Sequence, residues 1–325
     1  MLGVLDVVLW SLRKSPGDVV RMYERLSPLM CGITGGSMLN FGYWDCAHGT
    51  PALAQDNMCR LVADAAELSA AATGRLTVLD VGSGLCAPAM YWARHYSGMD
   101  VFCVNTSYGQ LHEAAHLLGR GRAADRNNNN GDDVDRDGDS SGNSYKHGGG
   151  DGHGSSGGLS CGSIDPVNAS AVALPFAAGS ADRVIALESA QHFKPLALFA
   201  SECRRAISDS GILAVAIPVV TRRLAPVRLG ILNFTWASEH YLLGHVRKTI
   251  RDGGFKITDE WLVGGSVYAP LADYYEKHRP GIKRSIRTLG YPSYLEGMIA
   301  TSMRRMRGAA DAGVIEYAMF KCRPC

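Results

Sequence analysis

Short apolar runs rich in β-branched residues recur along this chain with helical periodicity between them, and that alternation limits the fold more than any other feature. The runs are Thr77–Val81, Val101–Asn105, a weak one near Ile164, Arg183–Leu187 and Ile212–Ile217. Helical patterns fill Ala87–His95, Tyr108–Leu118 and Leu196–Ile207, the last followed by Asp209-Ser210-Gly211 as a stop and turn. Parallel strands cannot be joined by tight hairpins, so each connection must carry a helix across a face of the sheet. A doubly wound α/β sheet is expected. Ser238–Arg251 then reads as a helix ended by Gly253-Gly254, Phe255–Val263 as a strand, and the tyrosine-rich stretch to about Arg307 as helical. Val314–Lys321 reads as a final strand, and three helical segments occupy Met1 to about Ala72.

Between Gly121 and Gly158 the pattern stops. Asn127–Asn130, an Asp-rich run from Asp132 to Asp139 and Gly148–Gly150 follow one another with almost no apolar residue. Such a stretch cannot bury enough surface to offset its ordering entropy, and it is expected to be a disordered surface insertion within the sheet domain. The whole chain is nonetheless 46% apolar, enough for a large core, and its 33 basic against 31 acidic residues give no bulk charge for holding nucleic acid. Nine cysteines lie singly except for Cys322 and Cys325, which favours a reducing compartment and a cytoplasmic location. No apolar run approaches the roughly 20 residues of a membrane span.

The chemistry-bearing segment is Thr77-Val-Leu-Asp80-Val-Gly82-Ser83-Gly84-Leu85. An apolar strand delivers an acid and two glycines to the carboxyl edge of the sheet, where folds of this kind bind ligands and where glycine lets a ligand approach the backbone. Ala87 replaces the third glycine of a dinucleotide fingerprint and no P-loop lysine follows, so nicotinamide and triphosphate readings lose ground.

Several later segments follow in a fixed order. With Leu79–Gly84 come Val104-Asn105-Thr106-Ser107 with Gln110, Leu174-Pro-Phe176, Ala181-Asp182, Ala186-Leu187-Glu188-Ser189 with His192, and Glu202–Gly211. Upstream stands Met38-Leu-Asn-Phe-Gly-Tyr43-Trp44, and downstream Met298–Thr301 through Gly313. In this set the chain resembles the class I S-adenosylmethionine-dependent methyltransferases, in particular the small-molecule branch of the rebeccamycin sugar O-methyltransferase and phthiotriol-type enzymes. The resemblance runs from about Tyr23 to Lys321. It implies a Rossmann-like, seven-stranded, mostly parallel sheet with a helical N-terminal lid over residues 1–72 and a core over 73–325 that includes a helical cap at about 264–310. It also implies S-adenosyl-L-methionine as cofactor, held by Asp80, Gly82, Ser83, Gly84, Asn105, Thr106, Gln110, Ser170, Ala171 and Leu187. Glu188 and His192 become the candidate catalytic residues, with Tyr43 and Trp44 as lid or substrate residues.

The chain departs from the family pattern at four places. The acid that would hold the cofactor ribose is Asn105, the acid near the adenine is Ser170, with backbone groups or Asp165 as substitutes, a second base beside His192 is Gln191, and an aspartate ending the fifth strand is Ile217. An amide still donates and accepts, without the strength of a carboxylate.

Two metal-like motifs compete. His112-Glu113-Ala-Ala-His116 matches the zinc-protease helix, but Arg122 stands where the longer form has a third histidine. Asp133-Val-Asp135-Arg-Asp137-Gly138 resembles half a calcium loop, but Ser144 occupies the place of the closing glutamate. Neither is expected to hold a metal. From Val219 to Cys325 the chain carries 17 Lys and Arg against 9 Asp and Glu, with Arg222, Arg223 and Arg228 beside Leu224, Val227, Leu229 and Ile231. That composition fits either a solvated cap or peripheral contact with a membrane or anionic substrate. The expected activity is transfer of a methyl group to a small-molecule acceptor, first a hydroxyl of a sugar, lipid or polyketide-like compound. Carbon or nitrogen methylation of the tocopherol, sterol or glycine type stays open, as does a catalytically silent scaffold. The oligomeric state is not legible.

Overall fold

The computed structural model describes residues 16–34, 38–45, 49–69, 74–129, 162–222 and 240–325. The start of the expected N-terminal helical region, residues 1–15, the calcium-like Asp133–Asp137 run, most of the insertion, and Arg223 and Arg228 with their apolar neighbours lie outside the described residues.

Seven strands form one sheet: β1 (Leu76–Val81), β2 (Met99–Asn105), β3 (Ile164–Asn168), β4 (Ala181–Leu187), β5 (Ile207–Val220), β6 (Phe255–Leu262) and β7 (Ile315–Pro324). Their order is β3-β2-β1-β4-β5-β7-β6, and only β7 runs antiparallel to its neighbours. The described helices are α1 (Pro16–Thr34), α2 (Pro51–Ala65), α3 (Ala87–His95), α4 (Tyr108–Asn129), α5 (Leu196–Ala206), α6 (Leu243–Asp252), α7 (Tyr268–Thr288) and α8 (Ser293–Asp311).

Strand side chains alternate between faces, so the apolar run of β1 feeds two cores at once. Val78 packs with Met58 and Val62 of α2, Trp92 of α3 and Ala114 of α4. Leu79 and Val81 pack on the other face with Phe199 and Cys203 of α5 and Val246 and Ile250 of α6. A smaller cluster joins Leu29 of α1 to Tyr275, Ile282 and Ile286 of α7 and Leu295 of α8. Of the expected N-terminal lid, α1 therefore packs on the cap, whereas α2 is part of the layer covering the sheet.

Four elements differ most from their expected bounds. Helix α6, expected from Ser238, begins at Leu243, because Leu242 is extended and bridged to Val220 of β5. Asp209-Ser-Gly211 lies inside β5 as a wide bulge: Ala181 pairs with Ile207 but Arg183 pairs with Ile212, so the turn is folded into the strand. Helix α4 continues past Leu118 to Asn129, the cost of Gly119 and Gly121 being offset by the Ala and Arg residues around them. The tyrosine-rich stretch is a helical hairpin, broken where Gly290 takes φ +76° and Pro292 precedes α8. Among the described residues no helix is long and apolar enough to cross a membrane.

Candidate active site

The carboxyl ends of β1, β2 and β4 open into one cleft, covered by α1 and by residues 38–40. The glycine turn after β1 builds its floor. The amides of Gly82 and Ser83 both donate to Val104 O, at 2.7 and 3.2 Å, which folds the chain back over β2. Gly82 has φ +81°, and a Cβ there would stand 2.3 Å from Cβ of Ser189, whose hydroxyl donates to Val81 O at 2.6 Å. Glycine at 82 is thus required by the protein's own packing, and the residue also lines the cleft, where the sequence placed it. Gly84, at φ +56°, differs: the nearest atom to its would-be Cβ is Leu39 Cδ1 at 4.0 Å.

Asp80 lies under this turn, 2% exposed, and its Oδ2 has no hydrogen-bond partner among the described residues. Burial pushes its carboxyl up to about 7. A buried, unpartnered acceptor facing a cleft fits a ligand that brings a cationic donor, because leaving such an oxygen unsatisfied costs about 1–3 kcal/mol.

Asn105 is more constrained than its position in sequence indicates. Its Nδ2 donates to Gly84 O at 3.1 Å and to Gln110 Oε1 at 3.0 Å, and its Oδ1 accepts from the Ser107 amide at 3.2 Å. Both amide hydrogens are spent on tying the glycine turn to α4, so a ligand could use only the remaining lone pair of Oδ1. Thr106 stands exposed beside it. Gln110 is further held by Ser27 of α1, at 3.3 Å. Ser170 and Ala171 line the far wall, where the Ser170 hydroxyl accepts from the Val172 amide at 3.3 Å. Asp165 does not reach the cleft: it sits near the start of β3, at the opposite edge of the sheet, and accepts from Ser163 Oγ at 2.6 Å.

Leu187 and Glu188 end β4 at the cleft wall. Glu188 has φ +49°, a strained conformation for a residue with a Cβ, and its Oε1 accepts from the Phe41 amide at 2.9 Å. The residue keeps some surface in the cleft, but its carboxyl is ringed by protein and burial pushes it up to about 8, the Phe41 amide opposing in part. The buried phenols of Tyr268 and Tyr317 lie beside it and are held protonated by burial and by its charge. His192, in a single 3-10 turn, meets α1 instead: its Nε2 is 2.9 Å from Tyr23 Oη, with the rings edge to face at 5.3 Å. Burial and then the charge of Glu188 raise the pKa of Tyr23, so its hydroxyl keeps its proton. Gln191 turns away, donating to Glu188 O at 2.6 Å, and Ile217 is fully buried in the sheet.

Tyr43 and Trp44 are not cleft residues. Trp44 is buried, donates from Nε1 to Phe41 O at 3.0 Å and packs 5.4 Å from the Tyr274 ring of the cap. The same segment contributes Met38, Leu39 and Asn40 to the cleft, pinned by Gln55 Nε2, which donates to Met38 O and Asn40 O at 3.0 and 2.8 Å. His112 and His116 stand exposed on α4, their rings 4.6 Å apart, and no group of three metal-ligating side chains occurs among the described residues. Sequence reasoning missed α1: Tyr23 lines the cleft, Glu24 Oε1 accepts from Ser107 Oγ at 2.9 Å, and Ser27 meets Gln110. These are contacts between residues over eighty positions apart, and only the start of the resemblance at Tyr23 hinted at them.

Comparison with known proteins bears on this geometry. Residues 151–215 match the family model described as a methyltransferase domain. Over 95% of its length the chain is 25% identical to erythromycin 3''-O-methyltransferase of Saccharopolyspora erythraea, covering 92% of that protein. The chain is a class I S-adenosylmethionine-dependent methyltransferase. Its fold is shared with the [4+2]-cyclase SpnF, at TM-score 0.67 and 21% identity, covering 94% of this chain and 95% of that one. It is shared too with geranyl diphosphate C-methyltransferase of Streptomyces coelicolor, solved with S-adenosyl-L-homocysteine, at TM-score 0.66 and 12% identity over 95% and 98% of the two chains. The cofactor of this methyltransferase is S-adenosyl-L-methionine and its acceptor is a small molecule. The orphaned Asp80 Oδ2 and the open space at Gly84 fit that cofactor, which carries a cationic amino group.

Proposed function

We propose that this methyltransferase transfers the methyl group to a hydroxyl oxygen of a small molecule, a sugar, lipid or polyketide-like compound. The observation that carries the reading is the His192–Tyr23 pair in the cleft, 2.9 Å apart, beside Glu188. A hydroxyl is a poor nucleophile and must lose its proton as the new bond forms, so its methylation needs a base within hydrogen-bond reach. Similarity to an O-methyltransferase over most of both chains supports the same reading.

The bound cofactor supplies an electrophilic methyl group on a sulfonium centre. Asp80 and the turn at Gly82, Ser83 and Gly84 would hold its amino-acid end. Asn105, through its free lone pair, with Thr106 and the neighbouring Gln110 would hold the ribose, and Ser170, Ala171 and Leu187 the base. Of the two candidate catalytic residues, His192 is the better base: a carboxyl raised to about 8 keeps its proton near neutrality. With the imidazole proton on Nδ1, Nε2 is the accepting nitrogen, and the acceptor proton passes to His192 Nε2 directly or through the Tyr23 hydroxyl 2.9 Å away. Glu188 anchors the Phe41 backbone and so positions residues 38–40 over the cleft. Exclusion of water and alignment of acceptor and methyl supply the rest of the rate.

The test incubates the enzyme with isotopically labelled cofactor and a panel of hydroxylated glycosides, lipids and polyketides, with the site of the label located by mass spectrometry. Label on oxygen is expected, and His192→Gln should lower turnover by about 10²–10⁴-fold while leaving S-adenosylhomocysteine affinity unchanged. Label on carbon or nitrogen, or full turnover in His192→Gln, would refute the proposal.

A further inference from the structure

The outward face of α7 changes character along its length. Its first half carries Asp273 and Glu276, and both are answered by arginines: Asp273 pairs with Arg307, and Glu276 lies 3.8 Å from Arg279 and 3.9 Å from Arg304. From Lys277 to Leu295 the chain contains no acidic residue. Glu296, which follows, is buried and paired with Arg279 at 2.6 Å, its charge also felt by Lys283. Lys283, Arg284 and Arg287 stand exposed, three or four residues apart on one face, and none forms an ion pair among the described residues.

Directly beyond them, at the turn into α8, two large apolar side chains are exposed: Leu289 at 44% and Tyr294 at 37%. The turn is firmly seated on α1. Tyr291 Oη donates to Arg25 O at 2.7 Å, and a Cβ on Gly32 would stand 2.8 Å from Leu289 Cδ1. A row of cations is commonly just a solvated face, and scattered exposed apolar residues are ordinary. Here an acid-free row of cations ends in an aliphatic and an aromatic side chain at the tip of a helical hairpin. That is the complement of an anionic bilayer, with phosphate charge at the surface and apolar volume just beneath it.

We propose that the α7–α8 tip docks on the surface of a membrane containing anionic phospholipid. Because the tip is fastened to α1, and α1 contributes Tyr23 to the cleft, docking would hold the helix that covers the site against the bilayer surface. The proposal does not depend on which atom of the acceptor is methylated.

The test sediments the full-length protein with phosphatidylcholine vesicles with and without phosphatidylglycerol. Binding is expected only with phosphatidylglycerol, and is expected to weaken as salt is raised. Each basic residue near such a surface is worth about fivefold in affinity, so Lys283→Gln/Arg284→Gln/Arg287→Gln should lower binding by about a hundredfold and Arg287→Gln alone by about fivefold. Tyr294→Ser should weaken binding without changing its salt dependence. The variant Lys248→Gln/Arg251→Gln/Lys256→Gln, which removes the same charge from α6 and β6, should bind as the parent does. Unchanged S-adenosylhomocysteine affinity confirms folding of each variant. Equal binding to neutral vesicles, an equal loss in the control variant, parental binding in the patch variants, or binding of heparin but not of vesicles would overturn the proposal.

Discussion

The two glycines of the β1 turn should fail in different ways when given a side chain. In Gly82→Ala the new methyl lands 2.3 Å from Ser189 Cβ and 2.8 Å from its Oγ, so the hydroxyl bonded to Val81 O at 2.6 Å must move. Overpacking of this kind costs about 1–3 kcal/mol, and a Cβ at positive φ adds about 1–2 kcal/mol. The sum, about 2–5 kcal/mol, is a large part of the roughly 5–15 kcal/mol that holds a typical domain folded. Gly84→Ala carries only the backbone penalty, since nothing lies nearer than 4.0 Å, but its methyl enters the space proposed for the cofactor. Urea denaturation and calorimetry with S-adenosylhomocysteine separate the two. Gly82→Ala should lose about 2–5 kcal/mol of stability, and Ser189→Gly in the same chain should return the packing share. Gly84→Ala should lose about 1–2 kcal/mol and most of its affinity. Equal stability of the two variants, or no recovery with Ser189→Gly, would refute the packing argument.

Other outcomes follow from the same geometry. Glu188, raised to about 8, keeps a proton when folded that the unfolded chain releases in the ordinary carboxylate range. The stability it contributes is therefore full below that range and is lost as pH rises through about 8, by at most about 1.4 kcal/mol per pH unit. Thermal midpoints of the apo protein across this window should fall, and Glu188→Gln should flatten the fall; a parental slope in that variant counts against the assignment. Asp80, raised to about 7, should make S-adenosylhomocysteine affinity rise with pH through neutrality, an effect absent in Asp80→Asn. Chelators should leave turnover intact, and loss in EDTA with recovery on adding zinc would restore a role to His112 and His116. Replacing residues 131–158 with a short Gly/Ser linker should keep turnover within about threefold, because loop closure cost varies only logarithmically with length; a variant that binds cofactor but does not turn over would place the segment in the acceptor site.

What one-dimensional pattern could determine, it determined well. The inner strands β1, β2, β4 and β5 and the helix at Ala87–His95 were legible because burial on both faces of a parallel sheet demands continuous apolar runs, and crossovers demand helices between them; the edge strands β3 and β6, half-exposed, lack such runs and were read from shorter patterns. Asp80, Gly84, Glu188 and His192 were legible as a group because strand ends at one edge of such a sheet must converge. Boundaries set by weak local preference were not: α4 runs on past two glycines, and the turn at Asp209–Gly211 is absorbed into β5.

Only the tertiary structure decided which groups are left unsatisfied and which are already spent. Asn105 reads as a ligand for ribose, yet its amide hydrogens belong to Gly84 and Gln110. Gly82 reads as a place where a ligand nears the backbone, and it does line the cleft, yet the space a side chain would need there is taken by Ser189. Tyr43 and Trp44 read as a lid, while the residues that reach the cleft are Met38 to Asn40 and, from α1, Tyr23. Hydrogen bonding and close packing are relations between side chains far apart in the chain. Local sequence specifies the conformation of each segment, whereas the partner, distance and burial that fix a group's proton and its availability arise only when the segments are brought together.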